Sequence, residues 1–188
     1  MVGEYVFGNC QNMEKITLPT TLKSIGKATF MQGDGYVDTV YGLTEITIPS
    51  KVTTIADSAF WGTAIESLTI PESVTEIGQY VCRDCSKLKS VTVNGTVIGE
   101  YMFVSCIRFS SFIIGKKLKK ICSNAFNYCS ALKTITYDGT LAEWQEIEKS
   151  PNWDGKRVMD VAQSGLVKIQ CTDGYMEYAD NEWREVAE

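Results

Sequence analysis

Apolar residues recur along the chain in a pattern with a period of roughly 20–29 residues, which is typical of stacked repeats. Each unit has three apolar residues in the spacing L-x-x-L-x-L, and the alternation at its end suits a β-strand. Further along each unit, an isoleucine-like and a phenylalanine-like residue lie five positions apart. The triplets are Met13/Ile16/Leu18, Leu43/Ile46/Ile48, Ile65/Leu68/Ile70, Leu88/Val91/Val93, Phe109/Phe112/Ile114 and Leu132/Ile135/Tyr137, and the pairs are Val2/Phe7, Ile25/Phe30, Ile55/Phe60, Ile77/Cys82, Ile98/Phe103 and Ile121/Phe126.

One unit of this size cannot cover its own apolar face, so neighbouring units must stack. Their strands would then pair in parallel, about 4.8 Å apart. This predicts an α/β-type repeat solenoid of the leucine-rich kind, with one curved parallel sheet and an irregular convex side. We expect residues 1–139 to form this array in about five to six turns, with an insertion at 32–42. The expected core residues include Ile55, Phe60, Ile77, Ile98, Phe103, Ile121 and Phe126.

The period ends at Asp138, and residues 140–188 are expected to form a small α+β segment that closes the last turn. Thr140 and Glu143 have the spacing of a capping box, which predicts a helix that ends at Ser150-Pro151. A strand is expected at 166–171 and a hairpin at 175–178 with 183–186. The apolar residues at helical spacing are Leu141, Trp144 and Ile147.

The unit L-x-x-I-x-I-P-x-x-V-x-x-I-x-x-x-A-F-x-x-C, seen at residues 43–60 and 118–129, resembles the BspA-like leucine-rich repeats. The closing stretch with Tyr137-Asp138-Gly139-Thr140, Glu143-Trp144, Trp153 and Cys171-Thr172-Asp173-Gly174 is similar to the segment that often ends such arrays in bacterial proteins. The resemblance implies a secreted or cell-surface bacterial protein, from a family in which some members are associated with adhesion to proteins of host or neighbouring cells. No catalytic residue is characteristic of that family, so none is implied here.

Enzymatic function is disfavoured by the absence of histidine from the sequence. Without histidine there can be no Ser-His or Cys-His pair, no histidine-ligated metal and no imidazole base. The acidic residues are scattered over variable repeat positions. We therefore expect no catalytic residue, no metal site and no cofactor.

The seven cysteines follow the repeat rather than the spacing of a metal or disulfide site. Cys10, Cys85, Cys106 and Cys129 each lie three residues after the phenylalanine position, and Cys82 occupies that position itself. The motif Cys82-x-x-Cys85 is therefore two repeat positions that both hold cysteine. A buried thiol behaves as a small hydrophobic group with a weak S–H donor. We expect structural thiols.

Charge divides the chain into two parts, because residues 1–139 carry thirteen Lys/Arg against twelve Asp/Glu and residues 140–188 carry five against eleven. The sequence lacks the basic stripe that is typical of nucleic-acid-binding proteins. It also lacks an apolar run of the roughly 18 residues that a membrane span needs. Lys116, Lys117, Lys119 and Lys120 are expected to form a solvated face around a buried Leu118.

Met1-Val2-Gly3 leads directly into the repeat without a polar terminal turn. We therefore expect that further residues, including a signal peptide, precede this chain in the natural protein. The expected location is the cell surface or the extracellular space.

The candidate binding residues are Tyr36, Asp38 and Tyr41 in the insertion, together with Trp61 one turn later. Adjacent turns lie about 5 Å apart, so the three aromatic residues could form one exposed cluster, of a kind common at binding hot spots. The alternative is that the loop folds back and its tyrosines cover the array. The insertion lacks the full ligand pattern of a calcium loop.

Two functions remain open from the sequence. The first is a non-catalytic interaction or adhesion module for a protein or glycan ligand. The second is a passive spacer of a larger surface protein whose binding function lies elsewhere. The outward threonines of the strands, Thr17, Thr47, Thr69, Thr92 and Thr136, are explained by β-branching alone.

Overall fold

The structure is a computed structural model that describes residues 1–32, 42–156 and 165–187. Short strands and four-residue strands alternate along the array, and one short helix and a hairpin follow it. The elements are β1 (Ser24–Ile25), β2 (Thr54–Ile55), β3 (Ser67–Ile70), β4 (Glu76–Ile77), β5 (Ser90–Val93), β6 (Val97–Ile98), β7 (Ser111–Ile114), β8 (Lys120–Ile121), β9 (Thr134–Tyr137), α1 (Leu141–Glu146), β10 (Glu148–Lys149), β11 (Lys168–Gln170), β12 (Gly174–Ala179) and β13 (Glu182–Ala187).

The ends of the L-x-x-L-x-L triplets form the parallel part of a seven-stranded sheet with the order β13-β12-β11-β9-β7-β5-β3. The predicted parallel pairing is confirmed, since β3, β5, β7 and β9 pair in parallel with like residues side by side. Buried and exposed residues alternate along β3 and β7, as the period of two requires. The two earliest triplets contribute only an isolated bridge between Lys15 and Glu45.

The isoleucine-like residues at equivalent positions of successive turns form a column, and the backbone at this column is more regular than expected. The predicted irregular side carries short strands, which form two parallel three-stranded sheets with the orders β1-β2-β4 and β6-β8-β10. Each strand is only two residues long because the isoleucine position and its predecessor are the only ones that pair. The prediction of irregular structure there is therefore wrong.

The core runs along the phenylalanine position of successive turns. Phe30, Phe60, Phe103 and Phe126 are fully buried, and Phe103 lies parallel to Phe126 with ring centroids 6.0 Å apart. Cys82 fills the same position, fully buried, in the turn between Phe60 and Phe103. Among the isoleucines of the second column, Ile55, Ile98 and Ile121 are also fully buried.

Ile77 differs from its expected full burial, because it is only half-buried against the core. It lies where β4 and β6 run side by side without strand pairing, so one side of the residue opens to solvent. The turns approach closely at this break, and a Cβ on Gly99 would collide with the Gly78 carbonyl. Only glycine permits this approach, which a pattern of apolar positions does not reveal.

The cysteines that lie three residues after the phenylalanine position of their turn point into the array. The thiols of Cys85, Cys106 and Cys129 are buried and donate to the carbonyls of Phe60, Cys82 and Phe103 over 3.1, 3.0 and 3.0 Å. Burial raises the pKa of the Cys106 and Cys129 thiols, because the thiolate would lose its hydration. These groups satisfy carbonyls inside the core, as the repeat position predicted.

The helix after the array begins with the predicted capping box, in which Thr140 and Glu143 each accept from the other's backbone N–H. It ends at Glu146, earlier than the predicted stop at Ser150-Pro151. The reason is that β10 joins the short-strand sheet, where the Glu148 N–H donates to the Lys119 carbonyl over 2.9 Å. Tertiary pairing here prevails over helix continuation.

Candidate functional site

Every turn of the array contains a residue with left-handed backbone three positions after the isoleucine column. These φ angles lie between +49° and +59° in the turns that carry Ala28, Ser58, Tyr80, Tyr101 and Asn124. A non-glycine residue in this region costs roughly 1–2 kcal/mol, and small or amide side chains are the usual choice. Three turns have tyrosine there instead: Tyr5 in the first turn, with a φ of 54°, and Tyr80 and Tyr101 in two adjacent turns.

Hydrogen bonds between turns hold like positions in register. The N–H of Tyr80 donates to the Glu100 carbonyl over 3.0 Å, and the N–H of Cys82 donates to the Met102 carbonyl over 2.8 Å. The same alternation recurs in the neighbouring turns. Side chains at equivalent positions are therefore stacked one turn apart, inside the array and on its surface alike.

This register produces a surface row that we call the aromatic row, formed by Trp61, Arg83, Tyr80 and Tyr101. The two tyrosine rings stack with centroids 5.0 Å apart and an angle of 11° between planes. The Arg83 guanidinium lies 5.5 Å from the centroid of Tyr80 and 4.7 Å from that of Trp61. All four residues are half-buried, so the row is packed along its length and open to solvent on one side.

Asp84 fixes the row at the tryptophan end. Its Oδ2 accepts from Trp61 Nε1 over 3.0 Å and from Arg83 Nε over 3.1 Å. Its own N–H donates to the Val104 carbonyl over 2.9 Å. One carboxylate therefore orients both the indole and the guanidinium.

A depression of about 420 Å³ lies at the break between β4 and β6, and several of its lining residues come shortly before Tyr80 in the sequence. Ile55, Ile77 and Val97 contribute its apolar lining, and Thr54 and Glu76 line it as well. Two residues beyond Ile77, Gln79 leads into Tyr80 and donates through Nε2 to Glu100 Oε2 over 2.9 Å. The depression and the aromatic row are therefore adjacent in sequence, since Gly78 lines the depression and Tyr80 belongs to the row.

Of the four residues in the aromatic row, the sequence predicted only Trp61 as a binding residue. Trp61 lies in the aromatic row, whereas Tyr36, Asp38 and Tyr41 fall outside the described residues. Gln32, the first residue of the insertion, donates from its N–H to the Trp61 carbonyl over 2.8 Å. The missed members carried a usable signal: Tyr80 and Tyr101 hold the same repeat position in adjacent turns, and Arg83 follows Trp61 at the next turn.

The basic cluster is a solvated face, as expected. Lys117 pairs with Glu72 over 2.8 Å and Lys120 with Glu148 over 2.6 Å, while Leu118 is buried. In the described parts of the chain, no three His, Cys, Asp or Glu side chains come together in a way that could hold a metal ion. Nor does any helix among the described residues have the length and apolarity to cross a membrane.

Three solved structures of bacterial leucine-rich repeat proteins are similar to this chain. The one from Bacteroides ovatus is 22% identical with a TM-score of 0.47, covering 90% of this chain and 57% of that one. The one from Eubacterium ventriosum is 25% identical with a TM-score of 0.49, covering 88% and 46%. A leucine rich cell surface protein from Faecalibacterium prausnitzii is 18% identical with a TM-score of 0.41, covering 78% and 65%.

This chain thus spans about half the length of the first two proteins. A search of curated proteins finds no match. Residues 1–133 match the family described as BspA type leucine rich repeat region, with six copies of the repeat. The match covers well over half of the chain, which therefore belongs to the family of BspA type leucine-rich repeats.

Proposed function

We propose that the chain is a non-catalytic interaction module of a secreted or cell-surface protein, and that it binds a partner protein through the aromatic row. The observation that carries the proposal is the half-exposed stack of Trp61, Arg83, Tyr80 and Tyr101. Tryptophan, tyrosine and arginine are the residues most enriched at interface hot spots. Membership of the BspA type repeat family agrees with this role.

Pre-organisation supports the proposal. The stacked rings and Asp84 already hold the side chains in one arrangement, so little rotamer entropy remains to be lost on binding. A flexible surface arginine would cost about 0.5–1.5 kcal/mol to immobilise. Arg83 is held beforehand by its ion pair and by two aromatic faces.

Backbone strain points in the same direction. Tyr80 and Tyr101 have φ angles of 59° and 51°, where glycine or asparagine would be less strained. Strained backbone that is held by its surroundings is a feature of binding and catalytic sites.

The first residue of the insertion, Gln32, lies beside Trp61. Its N–H donates to the Trp61 carbonyl, and a Cβ on Gly62 would collide with the Gln32 carbonyl. Tyr36, Asp38 and Tyr41 fall outside the described residues and remain candidate partner-binding residues.

We also propose that residues 1–139 form one curved solenoid and that residues 140–188 close it. Two observations support this: β11 and β10 pair in parallel with β9 and β8, and Trp153 and Trp144 lie edge-on to Phe126 and Tyr137. Removing residues 140–188 should expose that end and cause aggregation or unfolding, measured by light scattering and thermal melting. A truncated chain that stays soluble and equally stable would contradict the closing role.

The binding proposal is tested on an array of immobilised extracellular proteins and glycans. The double variant Trp61→Ala/Tyr101→Ala should lose its strongest protein signal, while the sheet-face variant Thr47→Ala/Thr69→Ala, changed at two exposed threonines, should keep it. Urea unfolding of both variants checks that the fold is retained. Loss of signal from the threonine variant alone would move the site to the sheet face. If the chain binds none of the immobilised proteins and glycans, the spacer function is favoured. Selective binding to the immobilised glycans would contradict a protein partner.

A further inference from the structure

We propose that the partner presents a cationic segment, and that one of its lysine or arginine side chains enters the depression between β4 and β6 beside the aromatic row. This inference rests on the proposed function and adds the chemistry of the partner. It is carried by an apolar depression, by carboxylates that have no ion pair, and by the rigid row next to them. Glu76 lines the depression, and Asp57 and Glu100 both accept hydrogen bonds from Gln79, which lies between Gly78 of the depression and Tyr80 of the row.

The depression has the shape and lining that suit a long aliphatic side chain. Half-buried Ile77 and Val97 contribute apolar surface at the break in the short-strand sheet, and Glu76 lines the same depression. Lysine and arginine carry an apolar stem and a charged head, and they bury the stem while keeping the head near water or an anion. A depression lined by apolar residues and a carboxylate provides for both parts.

Three carboxylates around this surface keep their charge unpaired. Glu76 Oε2 accepts from Thr54 Oγ1 over 3.2 Å, Glu100 Oε2 accepts from the Gln79 amide over 2.9 Å, and Asp57 Oδ1 accepts from the Gln79 N–H over 2.8 Å. These donors are all neutral. Among the described residues, none of the three carboxylates forms an ion pair within 4.0 Å.

Other carboxylates of the array behave differently. Glu45, Glu66 and Glu72 pair with Lys15, Lys89 and Lys117 at 2.9, 2.8 and 2.8 Å. These three carboxylates are paired, whereas the three beside the depression are not. That difference makes this surface electrostatically complementary to a cation.

Two of the cations near the depression are already paired with carboxylates of this chain. Arg83 is paired with Asp84, and Lys120, in the short strand after β6, is paired with Glu148. Lys27 lies one turn before Asp57, at the equivalent repeat position. An anionic partner would meet three unpaired carboxylates, and a purely apolar one would desolvate them without compensation.

The test uses two fluorescently labelled probes, a short oligoarginine peptide and a short oligoglutamate peptide, with the full chain and fluorescence anisotropy. Oligoarginine should bind, and its affinity should fall as NaCl rises from about 50 to about 300 mM, because screening weakens exposed charge pairs. The triple variant Asp57→Asn/Glu76→Gln/Glu100→Gln should weaken binding about tenfold or more. Its amide oxygens can still accept from Gln79 and Thr54, so the fold should be retained.

The control removes the same number of charges elsewhere, through Glu14→Gln/Glu146→Gln/Glu177→Gln at exposed residues. This variant should bind oligoarginine nearly as well as the parent chain. Equal losses in both triple variants would mean that net charge alone attracts the peptide and would overturn the site. Absence of oligoarginine binding, or equal binding of oligoglutamate, would overturn the cationic partner.

The two proposals fail in different ways. The immobilised protein that binds the chain most strongly is taken as the partner. Its affinity is measured for the row variant Trp61→Ala/Tyr101→Ala and for the triple amide variant. If only the row variant loses affinity, the aromatic row is the binding site and the cationic inference is wrong. If neither variant loses affinity, both proposals are wrong. Loss in both variants supports both.

Discussion

Two aromatic stacks run along this molecule, one inside the array and one on its surface. Phe103 and Phe126 lie 6.0 Å apart with an angle of 7° between their planes, and Tyr80 and Tyr101 lie 5.0 Å apart with an angle of 11°. The phenylalanines are fully buried, whereas the tyrosines are half-exposed. Nearly the same stacking geometry therefore occurs in two different environments.

In a stacked repeat, the alignment of equivalent residues between turns and the burial of those residues have different causes. Hydrogen bonds between turns place equivalent residues one above another wherever they point. Whether a position faces inward is decided by its place within the turn, so buried Cys82 and half-exposed Arg83 are neighbours in sequence. Changes to the inner stack should lower stability, and changes to the outer one should lower binding.

The largest expected effect is on the inner stack. Phe103→Ala should lower the free energy of unfolding by about 3–5 kcal/mol, because it leaves a cavity in a closely packed core. Urea denaturation measures this change. The matched control Thr47→Ala, at an exposed position of the sheet side, should cost well under about 1 kcal/mol. Similar losses from both substitutions would contradict the assignment of inward and outward positions.

The thiols extend the comparison to chemical reactivity. In the native protein, Cys85, Cys106 and Cys129 should react with iodoacetamide at least about a hundredfold more slowly than in denaturant, because reaction requires opening of the core. Half-buried Cys10 and Cys122 serve as controls and should react faster under native conditions. Mass spectrometry resolves the five sites, and rapid native labelling of Cys106 would show that the core opens readily.

The smallest expected effect on stability belongs to the outer stack. Tyr101→Gly relieves a left-handed conformation worth roughly 1–2 kcal/mol and removes a ring pair worth about 0.5–1.5 kcal/mol. The two changes oppose each other, so unfolding free energy should stay within about 1 kcal/mol of the parent chain. Ser58→Gly, with a φ of 57° and no ring to lose, is the control and should be neutral or stabilising. A loss comparable to that of Phe103→Ala would identify Tyr101 as core.

The sequence predicted the features that depend on periodicity. The buried positions of Phe103 and Phe126, the inward thiols and the capping box at Thr140 all follow from repeat spacing or a local motif. The half-exposure of Ile77 could not be predicted, because it depends on a break in pairing between two turns that share the same pattern. The helix end at Glu146 was missed because pairing with a distant turn determines it.

The candidate site was predicted only in part for a related reason. The sequence placed Trp61 in a possible exposed aromatic cluster, but sequence spacing does not reveal which side chains such a residue contacts. Arg83 joins Trp61 to Tyr80 through two ring faces, across two repeat positions that are not adjacent in sequence. Only the geometry of a turn shows that these positions lie together.

Hydroxyl-radical footprinting of the chain, free and bound to its strongest protein partner, shows whether the aromatic row is the binding surface, because it labels exposed aromatic side chains. Tyr5 and Tyr128, exposed at 53% and 49%, are internal controls outside the aromatic row. The account predicts that the partner reduces modification of Trp61, Tyr80 and Tyr101 and leaves the labelling of both controls unchanged. Unchanged labelling of the row, with protection at exposed Ile113 on the sheet face, would contradict it.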